Sequence, residues 1–485
     1  MTTFRLFILL LLVSISHLYS VDSLRLYLQT KPHSLDPRQT NERRTQIILR
    51  ELFEGLTRMD KEGKPSLALA KEVDVSSDGL QYTFHLRKSC WSNGKEVTAY
   101  DFERTWKSIL DPNLASPAAH FLFIIKNAQK AHQGECPLDE VAIQAKEAYT
   151  LFVTLENPSP FFLELLSNPV FSPLYPKSQD PLVSNGPFIL KEHNFQSHVI
   201  LERNPLYWGD RALVERIHFS IVEDPGTAFF LFQKGELDWY GDPFGIIPID
   251  ILSKLLSRLQ MRTLSGLYWL VCSQDEDRIT PKIRKAITSA VNRDELCRFL
   301  NAGEKPCFSI VPDIFHLSSK KHIDENVPSD LKIDPPLIIS HWAERSSKTI
   351  AQLLQSQLQA SLGIKVELAG YDWHTYLKKL YHGDFDLITA AHNPTTQDPI
   401  FYFEYINEFF WKEPRFAQLI EKAKSSTASR GVYLQEAEQA LQENLPIIPL
   451  YSLCFKYAKT AGLQGEVISP VGTIELKWVE WAKTE

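Results

Sequence analysis

Residues 82–117 have the sequence YTFHLRKSCWSNGKEVTAYDFERTWKSILDPNLASP, which decides the fold class of this chain. Polar and apolar residues alternate over 81–86, the period of a half-buried strand, and a Ser-Asn-Gly turn follows at 92–94. Residues 98–101 have the pattern of a capping box, with Asp101 in place of the usual Glu or Gln. One face of the predicted helix carries Phe102, Trp106, Ile109 and Leu110, and Asp111 with Pro112 ends it. The stretch therefore predicts a strand, a turn and an amphipathic helix in succession.

The same interleaving of helix and strand signals continues along the chain. Thr280 followed by Pro281 predicts a helix N-terminus with proline at the first helical position. Asn292 with Glu295 predicts the cap of the next helix. The apolar pattern then predicts four elements: a helix at 346–362 that ends at Gly363, a strand at 364–368, a helix at 373–381 and a strand at 385–388. We expect a mixed α/β architecture.

Length and charge limit the organisation of the protein and its partners. A chain of 485 residues is too long for one simple core, so two or three lobes are expected. No Gly/Ser-rich linker divides the chain, so short crossings or discontinuous segments must join these lobes. The net charge is −7, from 52 basic and 59 acidic side chains. This balance argues against nucleic acid or an anionic membrane as the main partner, because both reward a basic surface.

The N-terminus has the pattern of a secretory signal peptide. Residues 1–5 carry one positive charge, residues 6–13 are an unbroken apolar run, and Ser16 and Ser20 are candidates for the residue before the cleavage site. The run is shorter than the roughly 20 apolar residues of a membrane span; a buried N-terminal strand is the alternative. No cysteine for lipid attachment follows the run, since the first one is Cys90. We expect an exported protein, free in the periplasm, with residues 1–20 removed.

The sequence shows no motif of a catalytic or metal site. It lacks G-x-x-x-x-G-K-[ST], G-x-G-x-x-G, G-x-S-x-G and H-E-x-x-H, and its 14 histidines are dispersed. Its six cysteines have no C-x-x-C spacing. Cys297 and Cys307 either close a short bridge or remain buried free thiols. We expect no catalytic residue, no metal and no cofactor, although carboxylate pairs leave no local signature.

Eight blocks of the chain resemble the solute-binding proteins of oligopeptide ABC importers, the bacterial extracellular solute-binding proteins of family 5. The similarity begins over residues 35–72, at LDPRQT and LRELFEGLTRMDKEGKPSLALAKE, and residues 82–117 are similar to the family's most diagnostic block. Six further blocks follow in the family's order: NGPFILKEH, LERNPLYWGD, FQKGELDW, IRKAITSAVNRDEL, YDWHTYLKKLYHGDFDL and ENLPIIPLY. One such block is a weak signal, but eight in order are a specific one.

The resemblance implies an α/β, two-lobed periplasmic binding protein fold with discontinuous lobes joined by a hinge. Lobe I would comprise residues 21–53, 184–262 and 450–485, with an inserted subdomain at 54–183, and lobe II would comprise 263–449. Ligand would be enclosed between lobes that close by hinge motion. A bound peptide would be held extended, by main-chain hydrogen bonds of the strand-addition kind.

The stretch FDLITAAHNPTTQDPIFYF at 385–403 is expected at the rim of the pocket. In peptide-binding relatives the matching strand and loop carry an arginine, a tryptophan and an aspartate that pairs with the ligand's α-ammonium. Aligned from Trp373, those positions hold Thr389, His392 and Thr395 here. Asp398 either substitutes for the missing aspartate or is the family's ordinary acidic residue at that point. The resemblance implies ligand contacts from Trp373, Thr389, Ala391, His392, Asn393, Thr395, Asp398, Asn41 and Tyr451.

The leading hypothesis is a monomeric, non-enzymatic binding protein that delivers peptides or peptide-like solutes to an ABC permease. The expected partners are the ligand and the permease subunits, without nucleic acid. Within the same fold, the alternative ligands are a murein peptide, a γ-linked peptide such as glutathione, or a chelated metal. His392, which stands at the family's tryptophan position, is the residue that keeps a metal ligand among the alternatives. An exported hydrolase or chaperone that uses a cleft is the alternative from another class.

Overall fold

The structure, a computed structural model, describes residues 23–482 except 177–181, 256, 302, 313–314, 316 and 318–332. The predicted signal peptide at 1–20 lies outside the described residues. The chain forms two compact units, one from Met1–Gln260 and Tyr457–Glu485 and the other from Met261–Lys456. The division into lobes and an inserted subdomain at the residues given above stays a prediction. No helix of the described residues is long and apolar enough to cross a membrane.

The first unit is built mainly from short strands. In chain order it contains β1 (Ser23–Leu28), α1 (Arg43–Leu52), β2 (Thr57–Met59), β3 (Pro65–Leu67), β4 (Ala70–Val75), β5 (Gln81–Leu86), α2 (Ala99–Leu110), α3 (Ala128–His132), β6 (Ile143–Glu147), β7 (Thr150–Thr154), α4 (Phe162–Leu165), β8 (Phe188–Asn194), β9 (His198–Arg203), β10 (Arg216–Ile221), α5 (Pro225–Gln233), β11 (Trp239–Gly241) and α6 (Ile249–Leu255).

The second unit alternates strands and longer helices. β12 (Gln260–Cys272) enters it, and α7 (Pro281–Ala290), α8 (Arg293–Leu300), β13 (Lys305–Pro306), β14 (Leu337–Trp342), α9 (Arg345–Leu362), β15 (Val366–Tyr371), α10 (Trp373–His382), β16 (Leu387–His392), α11 (Ile400–Phe409), α12 (Pro414–Ser425) and α13 (Arg430–Asn444) follow. β17 (Ile447–Lys459) returns to the first unit, which ends with β18 (Leu463–Gln464), β19 (Val467–Ile468), β20 (Ile474–Glu475) and β21 (Glu480–Trp481).

The strand, turn and helix predicted from residues 82–117 are confirmed as β5 and α2. The backbone nitrogen of Thr98 donates to the Asp101 carboxylate at 2.9 Å, as the capping pattern predicts. The apolar face of α2 is buried, and the indole of Trp106 donates to the carbonyl of Phe171 at 2.8 Å. The buried side chains of this core all come from residues 56–171. The sheet β4-β5-β7-β6 and the helix α2 therefore share a core with residues from one continuous stretch of chain.

The two ends of that stretch are held together where they meet the rest of the first unit. The side-chain amide of Asn185 accepts a hydrogen bond from the Glu54 backbone nitrogen and donates one to the Glu54 carbonyl, both at 3.0 Å. The next residue, Gly186, donates its N–H to the carbonyl of Leu52 at 2.8 Å. A side chain at Gly186 would come within 2.6 Å of this backbone, which explains the glycine.

A buried ionic network centred on Arg58 lies beside this junction. The Arg58 guanidinium contacts Glu475 at 2.7 Å, Glu54 at 3.0 Å and Glu51 at 3.4 Å, and Arg50 contacts Glu475 at 3.3 Å. All five side chains are at least nine-tenths buried. The network joins the end of α1, strand β2 and strand β20, which are far apart in sequence.

The second unit contains a sheet in the order β17-β12-β16-β14-β15, with β13 paired to β17. β14 runs parallel to both β15 and β16, whereas β12 is antiparallel to β16. The predicted caps of α7 and α8 are confirmed, since Thr280 and Asn292 accept hydrogen bonds from the backbone nitrogens of Ile283 and Glu295. The predicted long helix is α9, which ends at Gly363 with φ +66°. The mixed α/β architecture is confirmed.

Helices α9 and α10 cover opposite faces of this sheet. Leu337 and Ile339 of β14 share a core with the buried side of α9. Trp342 points to the other face, because side chains alternate along a strand, and it contacts Trp373 of α10. The helix that follows β14 and the helix that follows β15 therefore leave the sheet on different sides.

The strand predicted at 385–388 ends earlier than the strand in the structure. β16 runs to His392, because residues 387–392 continue their antiparallel pairing with β12 as far as Leu267. The loop that follows thus begins after His392.

All six cysteines are free thiols, so Cys297 and Cys307 are not bridged. The Cys307 thiol is buried and donates to the carbonyl of Ser309 at 3.1 Å. Burial also raises the pKa of the Cys297 thiol to about 11, which keeps it protonated at neutral pH.

Arg58→Met is expected to lower the free energy of unfolding by about 3–5 kcal/mol, because it leaves buried carboxylates without their counter-charge. Chemical denaturation followed by intrinsic fluorescence measures this loss. The matched control is Arg216→Met, which removes an exposed ion pair with Glu202 and is expected to cost less than about 1 kcal/mol. Equal losses in the two variants would contradict a central role for Arg58.

Glu51 gives the first unit a pH dependence. Burial raises the pKa of this carboxyl from 4.5 to about 7. Between these pH values the folded protein holds a proton that the unfolded chain has lost, so this group makes stability fall as pH rises. Glu51→Gln removes the titration and keeps an acceptor for the backbone N–H of Leu476. We expect the melting temperature of the variant, relative to wild type, to increase from pH 5 to pH 8.

The control for this pH series is Glu215→Gln, since the Glu215 side chain is exposed. Its melting curve should stay parallel to that of the wild type over the same range. A Glu51→Gln curve that also stays parallel would show that Glu51 has an ordinary pKa in the folded protein.

Candidate ligand-binding site

The carboxyl ends of the parallel strands in the second unit form an open edge. β14, β15 and β16 end at Trp342, Tyr371 and His392. β14 leads into α9 on one face of the sheet, while β16 leads towards α11, which contacts α10 on the other face. In open α/β sheets, ligands bind outside the carboxyl ends of adjacent strands whose connections leave in opposite directions. The ends of β14 and β16 have this arrangement.

β14 and β16 separate before they reach this edge. Their described pairing consists of Ile339 with Leu387 and Ser340 with Ile388, after which β14 pairs only with β15. Residues 389–392 continue to pair with β12 on their other side. The end of β16, with exposed Ala391, is therefore a strand edge next to a gap in the sheet. Such an edge suits an extended chain that adds backbone hydrogen bonds.

Most of the residues predicted as ligand contacts lie at or next to this edge. Trp373, the first residue of α10, is 53% exposed, whereas Thr389 is buried. The carbonyl of Thr389 accepts a hydrogen bond from the Tyr376 hydroxyl at 2.8 Å, which ties β16 to α10. Tyr451 is buried on β17 and stacks on Tyr268, with ring centroids 5.0 Å apart.

Asn41 is the predicted contact that does not belong to this edge. It is exposed and lies in the first unit, just before α1. The ligand contacts of Asn41 and of the other eight residues remain predictions.

The His392 ring lies within a cluster of aromatic side chains. It stacks on Tyr405 at 4.2 Å and on Trp269 at 5.5 Å between centroids, and meets Tyr402 edge-on at 5.4 Å. Tyr402 is itself held by a hydrogen bond from its hydroxyl to the carbonyl of Ser265 at 2.6 Å. The described residues contain no group of three or more His, Cys, Asp or Glu that could hold a metal ion.

The loop that follows β16 packs closely on β12. A Cβ atom at Gly266 would come within 3.0 Å of the Asn393 side chain, so the absence of a side chain at Gly266 permits this approach. Thr395 is half-buried and Thr396 is buried. The loop is therefore part of the folded unit and positions Thr395 beside the edge.

The carboxylate of Asp398 is bonded within the second unit. Its Oδ1 accepts hydrogen bonds from the Arg430 guanidinium at 2.7 Å and from the Ile400 backbone nitrogen at 2.9 Å. Both side chains are largely buried. These bonds give Asp398 a structural role, because they hold the start of α11 against the start of α13. They favour the interpretation of Asp398 as the family's ordinary acidic residue rather than as a substitute for the missing aspartate.

The sequence alone did not indicate Trp342, Tyr376 and Tyr405 as residues of this edge. Trp342 ends a strand that was not predicted, although the apolar run LII at 337–339 before the helix α9 carries the signal. Tyr376 and Tyr405 lie on helices α10 and α11, and the orientation of these helices relative to the edge depends on tertiary packing. Two carboxylates next to the edge, Glu344 and Asp372, cap α9 and α10. Hydrogen bonds from Thr375 hold the pKa of Asp372 below its usual value.

Asp398→Asn is expected to reduce the free energy of unfolding by about 1–3 kcal/mol, because it leaves the largely buried Arg430 without its counter-charge. Asp384→Asn is the control, since its pair with Lys379 is at the surface and should cost under about 1 kcal/mol. Denaturant melts of both variants measure the difference. If Asp398→Asn left stability unchanged and abolished ligand binding, the carboxylate would belong to the ligand instead.

Comparison with known proteins identifies the family. A family model described as bacterial extracellular solute-binding proteins, family 5 Middle, matches residues 64–409. The oligopeptide-binding protein OppA of Bacillus subtilis (strain 168) is 30% identical over 500 residues, covering 93% of this chain and 91% of that protein. The dipeptide-binding protein DppE of the same organism is 29% identical over 496 residues, covering 93% and 90%.

A solved structure shows the same fold. The Escherichia coli murein tripeptide binding protein MppA matches with a TM-score of 0.78 at 23% sequence identity, covering 96% of this chain and 99% of that chain. The predicted two-lobed periplasmic binding protein fold is thus confirmed. Since the family model spans well over half of the chain, this protein belongs to the bacterial extracellular solute-binding proteins of family 5.

Proposed function

We propose that this protein captures oligopeptides or peptide-like solutes outside the cytoplasm and delivers them to an ABC permease. The observation that carries the proposal is the edge of β16 around the exposed Ala391, next to the gap between β14 and β16. An extended peptide pairs with such an edge through its backbone, which every peptide has, so side-chain sequence matters little for this part of the binding. The names of the Bacillus subtilis relatives, which bind oligopeptides and dipeptides, support the same ligand class.

The proposal includes export and a non-enzymatic role. The family is one of extracellular solute-binding proteins, and the predicted signal peptide at 1–20 would direct this chain to the periplasm as a soluble monomer. Binding would involve Trp373, Ala391 and Thr395 at the edge, and the permease subunits would receive the ligand. A murein peptide or a γ-linked peptide remains an alternative ligand, because each also offers amide groups to a strand edge.

A peptide pool separates a binding protein from a hydrolase or a chaperone. The purified protein is incubated with the pool, separated from unbound peptide and denatured, and the released peptides are identified by mass spectrometry. We expect peptides of unchanged mass at about one per protein molecule. Shortened peptides would indicate a hydrolase, and no enrichment of any peptide would contradict the proposed function.

Thr395 predicts that the affinity for a peptide depends only weakly on whether its α-amine is free. The resemblance places an aspartate for the α-ammonium at this position, and the neighbouring Asp398 is bonded to Arg430. Without a counter-charge in the protein, a free α-amine adds little to the binding affinity. We expect N-acetylated and unmodified forms of one bound peptide to differ in affinity by less than about tenfold, or roughly 1.4 kcal/mol, as measured by calorimetry.

Thr395→Asp should shift the preference toward the free amine, because it restores a carboxylate beside the edge. Thr427→Asp is the matched control, since Thr427 is exposed after α12 in the same unit and gains the same charge. A wild-type protein that rejects the acetylated peptide by a hundredfold would show that another acidic residue binds the amine.

A further inference from the structure

Two tryptophans are exposed at the carboxyl edge of the second sheet. Trp342 is 38% exposed and Trp373 is 53% exposed, and among the ten tryptophans, all of which lie in the described part of the chain, these are the exposed ones. By contrast, Trp106, Trp239 and Trp269 are fully buried in the cores. Isolated exposed apolar residues are common on protein surfaces, but two adjacent indoles at the edge where ligands bind call for a function.

The two indoles form a wedge rather than a stack. Their ring centroids are 5.0 Å apart and their planes meet at 61°, an edge-to-face contact in which both rings stay partly exposed. Aromatic rings bind one another well in offset-stacked and edge-to-face arrangements at such distances. A third planar ring that enters the wedge would therefore contact both indoles.

Neighbouring residues hold the wedge in place. Trp373 stacks on Tyr376 with 5.6 Å between ring centroids, and the Tyr376 hydroxyl is bonded to the carbonyl of Thr389. The backbone of Trp342 is in the parallel ladder opposite Tyr371. A preorganised surface loses less conformational entropy when it binds, so its contacts contribute more to affinity.

The charges beside the wedge favour a neutral ring over a ligand cation. Glu344 accepts hydrogen bonds from the Ser347 backbone nitrogen at 3.2 Å and from the Ser346 hydroxyl at 2.9 Å. Asp372 accepts hydrogen bonds from the backbone nitrogens of His374 and Thr375, both at 3.1 Å. Both carboxylates thus cap helix N-termini, where the helix dipole already balances their charge.

We propose that the wedge formed by Trp342 and Trp373 is a subsite for one aromatic side chain of the bound ligand. This inference rests on the proposed peptide-binding function and specifies its substrate class: peptides with Phe, Tyr or Trp at one fixed position. Backbone pairing at the edge of β16 around Ala391 sets the register of the peptide, and the wedge selects the side chain at that position.

The test compares tetra-alanine with variants that carry a single phenylalanine at each position in turn, by calorimetry. Phenylalanine at one position should raise affinity by about tenfold or more, while lysine at that position should give less than about threefold. Trp342→Ala and Trp373→Ala should each abolish most of the gain from phenylalanine.

Two control variants separate stacking from general damage. Trp342→Phe keeps an aromatic face and should retain most of the gain from phenylalanine. Phe230→Ala removes an aromatic side chain with a similar exposure to Trp373, on α5 of the first unit, and should change nothing. Since Trp342 and Trp373 are exposed, the melting temperatures of their alanine variants should stay within about 3 °C of the wild type.

Several outcomes would overturn the subsite. One is binding of tetra-alanine with no gain from phenylalanine at any position; another is a gain that persists in both alanine variants. A larger gain from lysine than from phenylalanine would show that the wedge binds a cation. If no peptide binds the wild-type protein, the proposed function fails and this inference fails with it.

Discussion

The buried guanidinium of Arg58 is the interaction on which the first unit depends. It contacts Glu51, Glu54 and Glu475, which come from the start and the end of the chain. A single buried charge is strongly unfavourable, so these segments become stable inside the protein only when they come together. The Asn185 amide clamps the backbone of Glu54 at the same place. Together they anchor the continuous stretch that carries the core of residues 56–171 to the rest of the unit.

In the second unit, the separation of β14 from β16 leaves the end of β16 as a strand edge next to a gap in the sheet. Helices α9 and α10 cover the two faces of the sheet, and β12 covers the far side of β16. The carboxyl ends of the parallel strands are what remains open. Stacked aromatic rings around His392 and the bond between Asp398 and Arg430 hold this edge rigid. The same contacts explain why several residues of the loop support the site rather than face solvent.

Local sequence signals predicted the elements that depend on neighbouring residues. Thr98 with Asp101, Thr280 with Pro281, and Gly363 mark helix ends through bonds that span a few residues, and all three predictions were right. The strand at 385–388 was predicted too short, because its last residues are held by pairing with β12, more than a hundred positions earlier in the chain. Pairing at that distance has no local signature, so the predicted strand ended too early.

The sequence by itself determined the family and the helix ends that carry local signals, such as those at Thr98, Thr280 and Gly363. It did so because capping patterns, apolar periods and family blocks are properties of short segments. Only the tertiary structure decided that Trp342 and Trp373 are exposed whereas Trp106 and Trp239 are buried. It also decided that Asp398 pairs with Arg430. Exposure and ion pairing depend on which distant segments pack together, and a residue's own neighbours in sequence do not contain that information.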